Sequence, residues 1–312
     1  MLDPVLPIAL YLAFGYLFKI FFKDNSKELV EFVIYFSLPA IVFAKIYPLE
    51  LTYETLELIF MFNTIILGNL ILSYFAGKLF KLDKKTLATF MIIATFGNTS
   101  FIGLSYIDSF YGQDYVVYAL IYDLFGSFLL LVSLGMVIIN WGSGQHVNFK
   151  GIAKSVLFFP PIIMFFATVL AKSFEVPVFI MNTTETIGAT LVPIAMIAIG
   201  MKLELKNLFY KLKLVTSAII IKMLIVPVIV LIAFQVFYNL DDTWSKTTIL
   251  EVAMPPMTMA VVLAIKGGLD ERLAINALVL GVLISLISVT GFYYLLAWNF
   301  KMNSAPLHFI FL

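Results

Sequence analysis

The chain contains no cysteine, which excludes a disulfide framework, a thiolate metal site and a cysteine nucleophile. Histidine is nearly absent as well: His146 falls in a loop and His308 in the tail. Charge is scarce, with 12% Asp, Glu, Lys and Arg in 312 residues against about 25% in ordinary soluble domains. A net charge of +1 excludes the concentrated basic face that nucleic acid binding requires. No apolar segment holds the clustered aspartates, Ser-His pair, paired aspartates or zinc ligand set of an intramembrane enzyme, so neither catalysis nor a cofactor is expected.

What fills the chain is apolar surface. Hydrophobic residues make up 62% and the mean hydropathy is +1.03, the composition of an all-α polytopic membrane protein. Apolar runs bounded by charged or turn-forming residues cover 4–22, 29–47, 55–80, 86–107, 114–139, 151–171, 178–200, 212–238, 246–265 and 271–298, ten segments in all. The first has no basic leader in Met1-Leu2-Asp3 and no small-residue cleavage site after it, so it is expected to be a span and not a removed signal. The polar connection 140–150 divides the chain into a first set of five, within 1–139, and a second, within 151–312. Because five is odd, the second set enters the membrane from the opposite side, which predicts two inverted repeats. The halves also rhyme: Pro39 and Pro193 each lead an apolar run, and a break follows 59 residues on at Asn98 and 62 residues on at Pro255.

Basic residues set the orientation. Fifteen of the twenty fall on one face, among them Lys78, Lys84, Lys150, Lys154, Lys206, Lys213 and Lys266, and four on the other: Lys45, Lys172, Lys246 and Lys301. The majority marks the cytoplasmic side, so both termini are expected outside the cytoplasm of a multi-pass cell-membrane protein. The loops around Asp83-Lys84-Lys85 and 202–213 suit contact with anionic lipid headgroups.

The two breaks carry the chemistry. Gly97-Asn98-Thr99-Ser100 interrupts the fourth segment and Pro255-Pro256 the ninth. A segment that stops halfway across a bilayer bares backbone amides and carbonyls, and that is tolerable only where protein encloses them. Paired interruptions in corresponding positions are a pointer to a transporter's binding site. Gly97 weakens the helix, Asn98, Thr99 and Ser100 offer polar groups, and the two prolines strip partners from carbonyls near Glu251 and Val252. Opposed helix dipoles and bare amides at such a crossing fit an anion, most simply a carboxylate.

Ionisable residues inside the spans come next, since each costs at least about 2.5–3.5 kcal/mol to insert. Lys222 lies roughly 14 Å into the eighth segment, near the midplane. Asp123 in the fifth is similarly deep, and Glu251 is a turn before Pro255. Pairing of Lys222 with Glu251 or Asp123 is expected, either as a structural ion pair or as a coupling site for a proton or sodium ion. Asn63 is the approximate counterpart of Lys222 in the third segment, with Asn69 on a nearby face. Asn63, Asn69, Asn276, Ser285, Ser288 and Gln235 read as interhelical hydrogen-bonders.

The run Phe96-Gly97-Asn98-Thr99-Ser100-Phe101-Ile102-Gly103-Leu104 resembles the fourth-helix signature of the auxin efflux carrier family, although Ser105 stands where members usually have proline. The run from Leu191 through Pro193 to Gly200, with Leu203, resembles the seventh-helix pattern, and Ala253-Met254-Pro255-Pro256 with Ala260 resembles the ninth-helix crossover. The resemblance implies ten spans in two inverted repeats. It also implies a scaffold of helices 1, 2, 6 and 7, a transport domain of helices 3–5 and 8–10 moving as an elevator, and a dimer through the scaffold. By the same resemblance Asn98 and the Pro255-Pro256 region line the substrate site, and helices 3 and 8 contribute a supporting site, with Lys222 assigned by position. Plant members carry auxin and have a long central loop; prokaryotic members are associated with small acids such as malate or malonate, and the short connection 140–150 fits the latter. A sodium- or proton-coupled carrier of the same general architecture is the alternative. Antiporters of that kind usually hold two acidic residues at the crossing, where this chain offers only Glu251.

Overall fold

The computed structural model describes residues 5–50, 52–146, 148–203 and 210–304; the expected start of the first segment at Pro4, Lys206 of the basic loop and His308 of the tail lie outside them. Among the described residues the chain is helical throughout, in thirteen helices: α1 (Leu6–Phe21), α2 (Ser26–Ile46), α3 (Tyr53–Leu79), α4 (Lys84–Thr95), α5 (Leu104–Tyr111), α6 (Gln113–Ser143), α7 (Phe149–Leu157), α8 (Pro160–Ala171), α9 (Val178–Lys202), α10 (Leu212–Phe237), α11 (Thr243–Val252), α12 (Thr258–Lys266) and α13 (Glu271–Ser304). Six of these, α2, α3, α6, α9, α10 and α13, are long and apolar enough to cross a bilayer singly. Both α1 and α8 are shorter apolar helices. Multi-pass membrane residence follows.

The fourth and ninth segments do break, each into two short helices. With 12 and 8 residues in α4 and α5 and 10 and 9 in α11 and α12, each is about 12–18 Å long, roughly half a hydrocarbon core. Their break points are the most enclosed part of the molecule. Every residue from Thr86 to Ile107 and from Thr247 to Thr258 is buried. Large apolar side chains face outward instead from α1 (Phe14, Phe21), α3 (Phe60, Phe75), α8 (Phe166, Leu170) and α10 (Ile229, Ile232), where lipid is the solvent.

Two local features place these elements. Gly15 of α1 and Gly200 of α9 let the helices touch backbone to backbone, since a Cβ at either would overlap the main chain at Ile197 or Leu12. Residues just before the prolines that rhyme in sequence are joined. Pro39 follows a π-turn at Val33–Ser37 in α2, Pro193 follows Thr190 in α9, and the Ser37 and Thr190 hydroxyls share a 2.8 Å hydrogen bond.

Candidate functional site

At the centre the two breaks cross. Gly97 and Pro256 form an isolated antiparallel bridge: the Asn98 amide donates to the Pro255 carbonyl at 2.7 Å, and the Met257 amide donates to the Phe96 carbonyl at 2.9 Å. Neither proline has an amide hydrogen to give, and the short non-helical stretch at each break finds its partner in the other. The sequence reading expected bare amides at the breaks; the amides of Asn98 and Met257 are instead spent on the Pro255 and Phe96 carbonyls of the opposite break. The chain resumes after Asn98 as a π-turn, Thr99–Gly103, before α5. The Pro256 ring lies over Gly281 of α13, where a Cβ would be 2.5 Å from its Cδ.

Carbonyls left by the breaks are taken up by polar side chains of neighbouring helices. Pro256 cannot donate to Val252, and the Lys222 ammonium does so at 2.5 Å. On the other side the Asn69 amide donates to the Ala94 carbonyl at 3.0 Å and the Thr95 carbonyl at 3.4 Å, and Ser73 in turn donates to Asn69 at 3.3 Å. Asn69, rather than Asn63, therefore mirrors Lys222 in role. Asn63 ties α3 to α6 by donating to the carbonyls of Ile59 and Phe125 at 2.7 and 2.9 Å.

Expected ion pairing between Lys222 and a carboxylate is not what the structure forms. Among the described residues Lys222 has no salt bridge to Glu251 or Asp123; its nitrogen is committed to the Val252 carbonyl. It stands directly beside the crossing, 2.9 Å from where a Cβ on Gly97 would be. Asp123 accepts from the hydroxyls of Thr99 at 2.5 Å and Ser100 at 2.7 Å. That contact corrects the sequence reading on a second point. The crossing carries two carboxylates, because Asp123 of α6 joins Glu251 of α11 there. Glu251 is fully buried, and neither of its oxygens has a hydrogen-bond partner.

Asn98 is also fully buried, with its Nδ2 2.8 Å from the Thr258 hydroxyl and its Oδ1 unpartnered. Turning the amide over lets Thr258 donate to Oδ1 and leaves Nδ2 open. In either orientation one polar atom of Asn98 has capacity to spare. Thr258, Asn69 and Gly103 are site residues that the sequence reading did not single out for the crossing; only their place in the fold marks them. The remaining polar candidates are elsewhere: Ser285 bonds to Tyr106 and Val282, and Asn276 to the Tyr210 carbonyl. Ser288 Oγ is buried without a hydrogen-bond partner, and Gln235 is exposed.

A cavity of about 990 Å³ opens between α2, α6, the α7–α8 region and α12. Lys154, Lys266 and His146 contribute to its wall, together with Met259, the residue after Thr258. Phe128 and Phe159 also line it and stack with ring centres 3.7 Å apart. A smaller cavity of about 500 Å³ is lined by Glu50, Glu54 and Glu57 with Tyr118, Tyr238 and Trp244. No described group of three or more His, Asp or Glu side chains forms a metal cage.

Residues 1–293 match the family model described as "Membrane transport protein". An uncharacterized transporter of Methanocaldococcus jannaschii is 26% identical over 300 residues, covering 92% of this chain and 96% of its own. A second, from Methanothermobacter thermautotrophicus, is 25% identical over 92% of this chain and 95% of its own. A Rhizobium meliloti protein named "Putative malonate transporter" is 28% identical over 85% of each chain. A family model spanning nearly the whole chain, on a fold whose two broken segments cross at its centre, places this protein in the membrane transport family of the auxin efflux carriers.

Proposed function

We propose that this protein is a secondary carrier that moves a small organic anion across the cell membrane by elevator-type alternating access, and that it is not an enzyme. The observation that carries this reading is the crossing. It holds a buried ammonium beside the bridge and an Asn98 with one unspent polar atom, in a position that only the surrounding protein shields. A carboxylate arriving there takes Lys222 from the Val252 carbonyl and meets Asn98, with Thr99, Ser100, Pro255 and Pro256 forming the walls. An anion so placed replaces one charge-assisted hydrogen bond by another, and its binding has to offset the Val252 carbonyl left bare, about 1–3 kcal/mol.

In this reading the chain crosses the membrane ten times. The six long helices, α1 and the α7–α8 pair each cross once, and α4–α5 and α11–α12 complete the count as end-to-end halves. The repeats are inverted, with both termini outside the cytoplasm. Helices α1, α2, α7, α8 and α9 serve as the scaffold, which also offers a dimer surface, and the others as the moving body. The larger cavity, with Lys154, Lys266 and His146 in its wall, is then the cytoplasmic approach, and the glutamate-lined one is external. The name of the Rhizobium meliloti relative supports a small dicarboxylate as the first solute to try. Coupling to a cation is the second reading, favoured by the two carboxylates at the crossing.

Uptake of labelled malonate, and of a panel of other small carboxylates, into vesicles containing the purified protein tests the carrier reading. Saturable uptake that Asn98→Ala reduces at least tenfold is the expected result. Equal uptake into protein-free vesicles for every acid would end it.

A further inference from the structure

Glu251 has no job in the anion site just described. It sits near the end of α11, with no exposed surface and with neither oxygen bonded. Its carboxyl rests on Gly103 of the π-turn, where any Cβ would overlap both oxygens. Nearby donors are turned elsewhere: Lys222 to the Val252 carbonyl, and Thr99 and Ser100 to Asp123. The groups whose charge reaches it are Asp123, which repels, and Lys222, which attracts, with the Tyr122 phenol also facing it. The α10 helix brings Lys222 and α6 brings Asp123 and Tyr122; among the described residues the π-turn and α13, which also pack on α11, bring no further ionisable group to it.

With Asp123 and Glu251 both ionised and Lys222 protonated, the enclosed pocket carries one net negative charge, which opposes an incoming anion. One added positive charge removes the opposition. We propose that Glu251 binds a proton and that the carrier moves this proton together with its anion. This rests on the carrier reading above. A water-borne proton forms an O–H bond on a Glu251 oxygen when the site opens to one side; the anion then meets a neutral pocket, and the proton returns to water on the other side. A metal ion fits less well. It wants about six oxygen ligands, the hydroxyls here are turned to Asp123, and the Lys222 ammonium already occupies the neighbourhood.

Two measurements test the proposal. Infrared spectra of the purified protein, titrated with pH, should show the carbonyl stretch of a protonated carboxyl in wild type and in Asp123→Asn but not in Glu251→Gln. Absence of that band from wild type across the titration, or its survival in Glu251→Gln, overturns the proposal whatever the solute. In vesicles with the membrane potential clamped and sodium equal on both sides, malonate should accumulate about tenfold per unit of inward pH gradient for one proton per anion. In Glu251→Gln the ratio of uptake with and without the gradient should fall to about one. Accumulation that follows a sodium gradient, or malonate movement indifferent to both gradients, overturns proton coupling while leaving the carrier intact. Lack of any saturable uptake counts against the carrier reading, and the infrared band then decides the proton site alone.

Discussion

Replacing Lys222 by methionine removes one ammonium and leaves a stem of similar length, so the packing cost is small, under about 1.5 kcal/mol. The polar cost is larger. The Val252 carbonyl, which Pro256 cannot serve, loses its 2.5 Å donor in a fully buried place. A hydrogen bond to a charged group contributes about 1.5–3 kcal/mol, and a buried acceptor left bare costs a comparable amount. Glu251 also loses the one attractive charge near it. Together these predict a destabilisation of about 3 kcal/mol, a fall in melting temperature of roughly 5–10 °C on the scale of single domains. Thermal melts in detergent followed by tryptophan fluorescence, with Lys222→Met beside wild type, measure it. A lysine that served coupling alone would lose the ligand response and keep a normal melting point. The structure predicts that both are lost, since the same nitrogen closes the end of α11. An unchanged melting point would refute the assignment of Lys222 to the Val252 carbonyl.

Gly103→Ala should cost about 1–3 kcal/mol, because its Cβ overlaps the Glu251 carboxyl and one of them has to move; a thermal melt checks it, and neutrality would put Glu251 elsewhere. Asn69→Leu strips the Ala94 carbonyl of its donor and should cost about 1–3 kcal/mol, as a thermal melt would show. Asp83 caps α4, so Asp83→Ala should lower stability by about 1 kcal/mol at neutral pH. The Thr86 hydroxyl, then the Thr86 and Lys85 amides, hold the Asp83 carboxyl below its ordinary 3.8. A lowered folded value means the contribution is whole above 3.8 and is lost as pH falls through that folded value. The gap between wild type and Asp83→Ala should therefore be flat through neutral pH and close in acid, as melts over a pH series would show.

Much of the frame was legible before any coordinates. The two interruptions, the proline rhyme and the apolar runs are local signals: Gly97 weakens a helix and the tandem prolines remove two of its hydrogen bonds whatever packs around them. What escaped was how separated segments answer one another. The amides of Asn98 and Met257 read as bare because nothing local says that two breaks 159 residues apart will pair. Asp123 was expected as a partner of Lys222, because its actual donors, Thr99 and Ser100, are 24 and 23 residues away. Lys222 was expected at a carboxylate, since charge complementarity is the visible rule; a proline-freed carbonyl is an equally strong call on an ammonium, and it lay closer. Asn69 was passed over for Asn63 because register was legible in the sequence and hydrogen-bond direction was not. The π-turns at 33–37 and 99–103 left no signal in the apolar periodicity either.

Whether the crossing of α4–α5 with α11–α12 holds the solute is tested most directly by ligand-induced stabilisation of the purified protein. A panel of small carboxylates, malonate included, is added to wild type and to Asn98→Ala, and the rise in melting temperature is followed against concentration. At least one acid should stabilise the wild type in a saturable manner and leave Asn98→Ala unmoved at the same concentrations. An acid that stabilises both proteins equally would place the binding site away from the crossing and contradict the account.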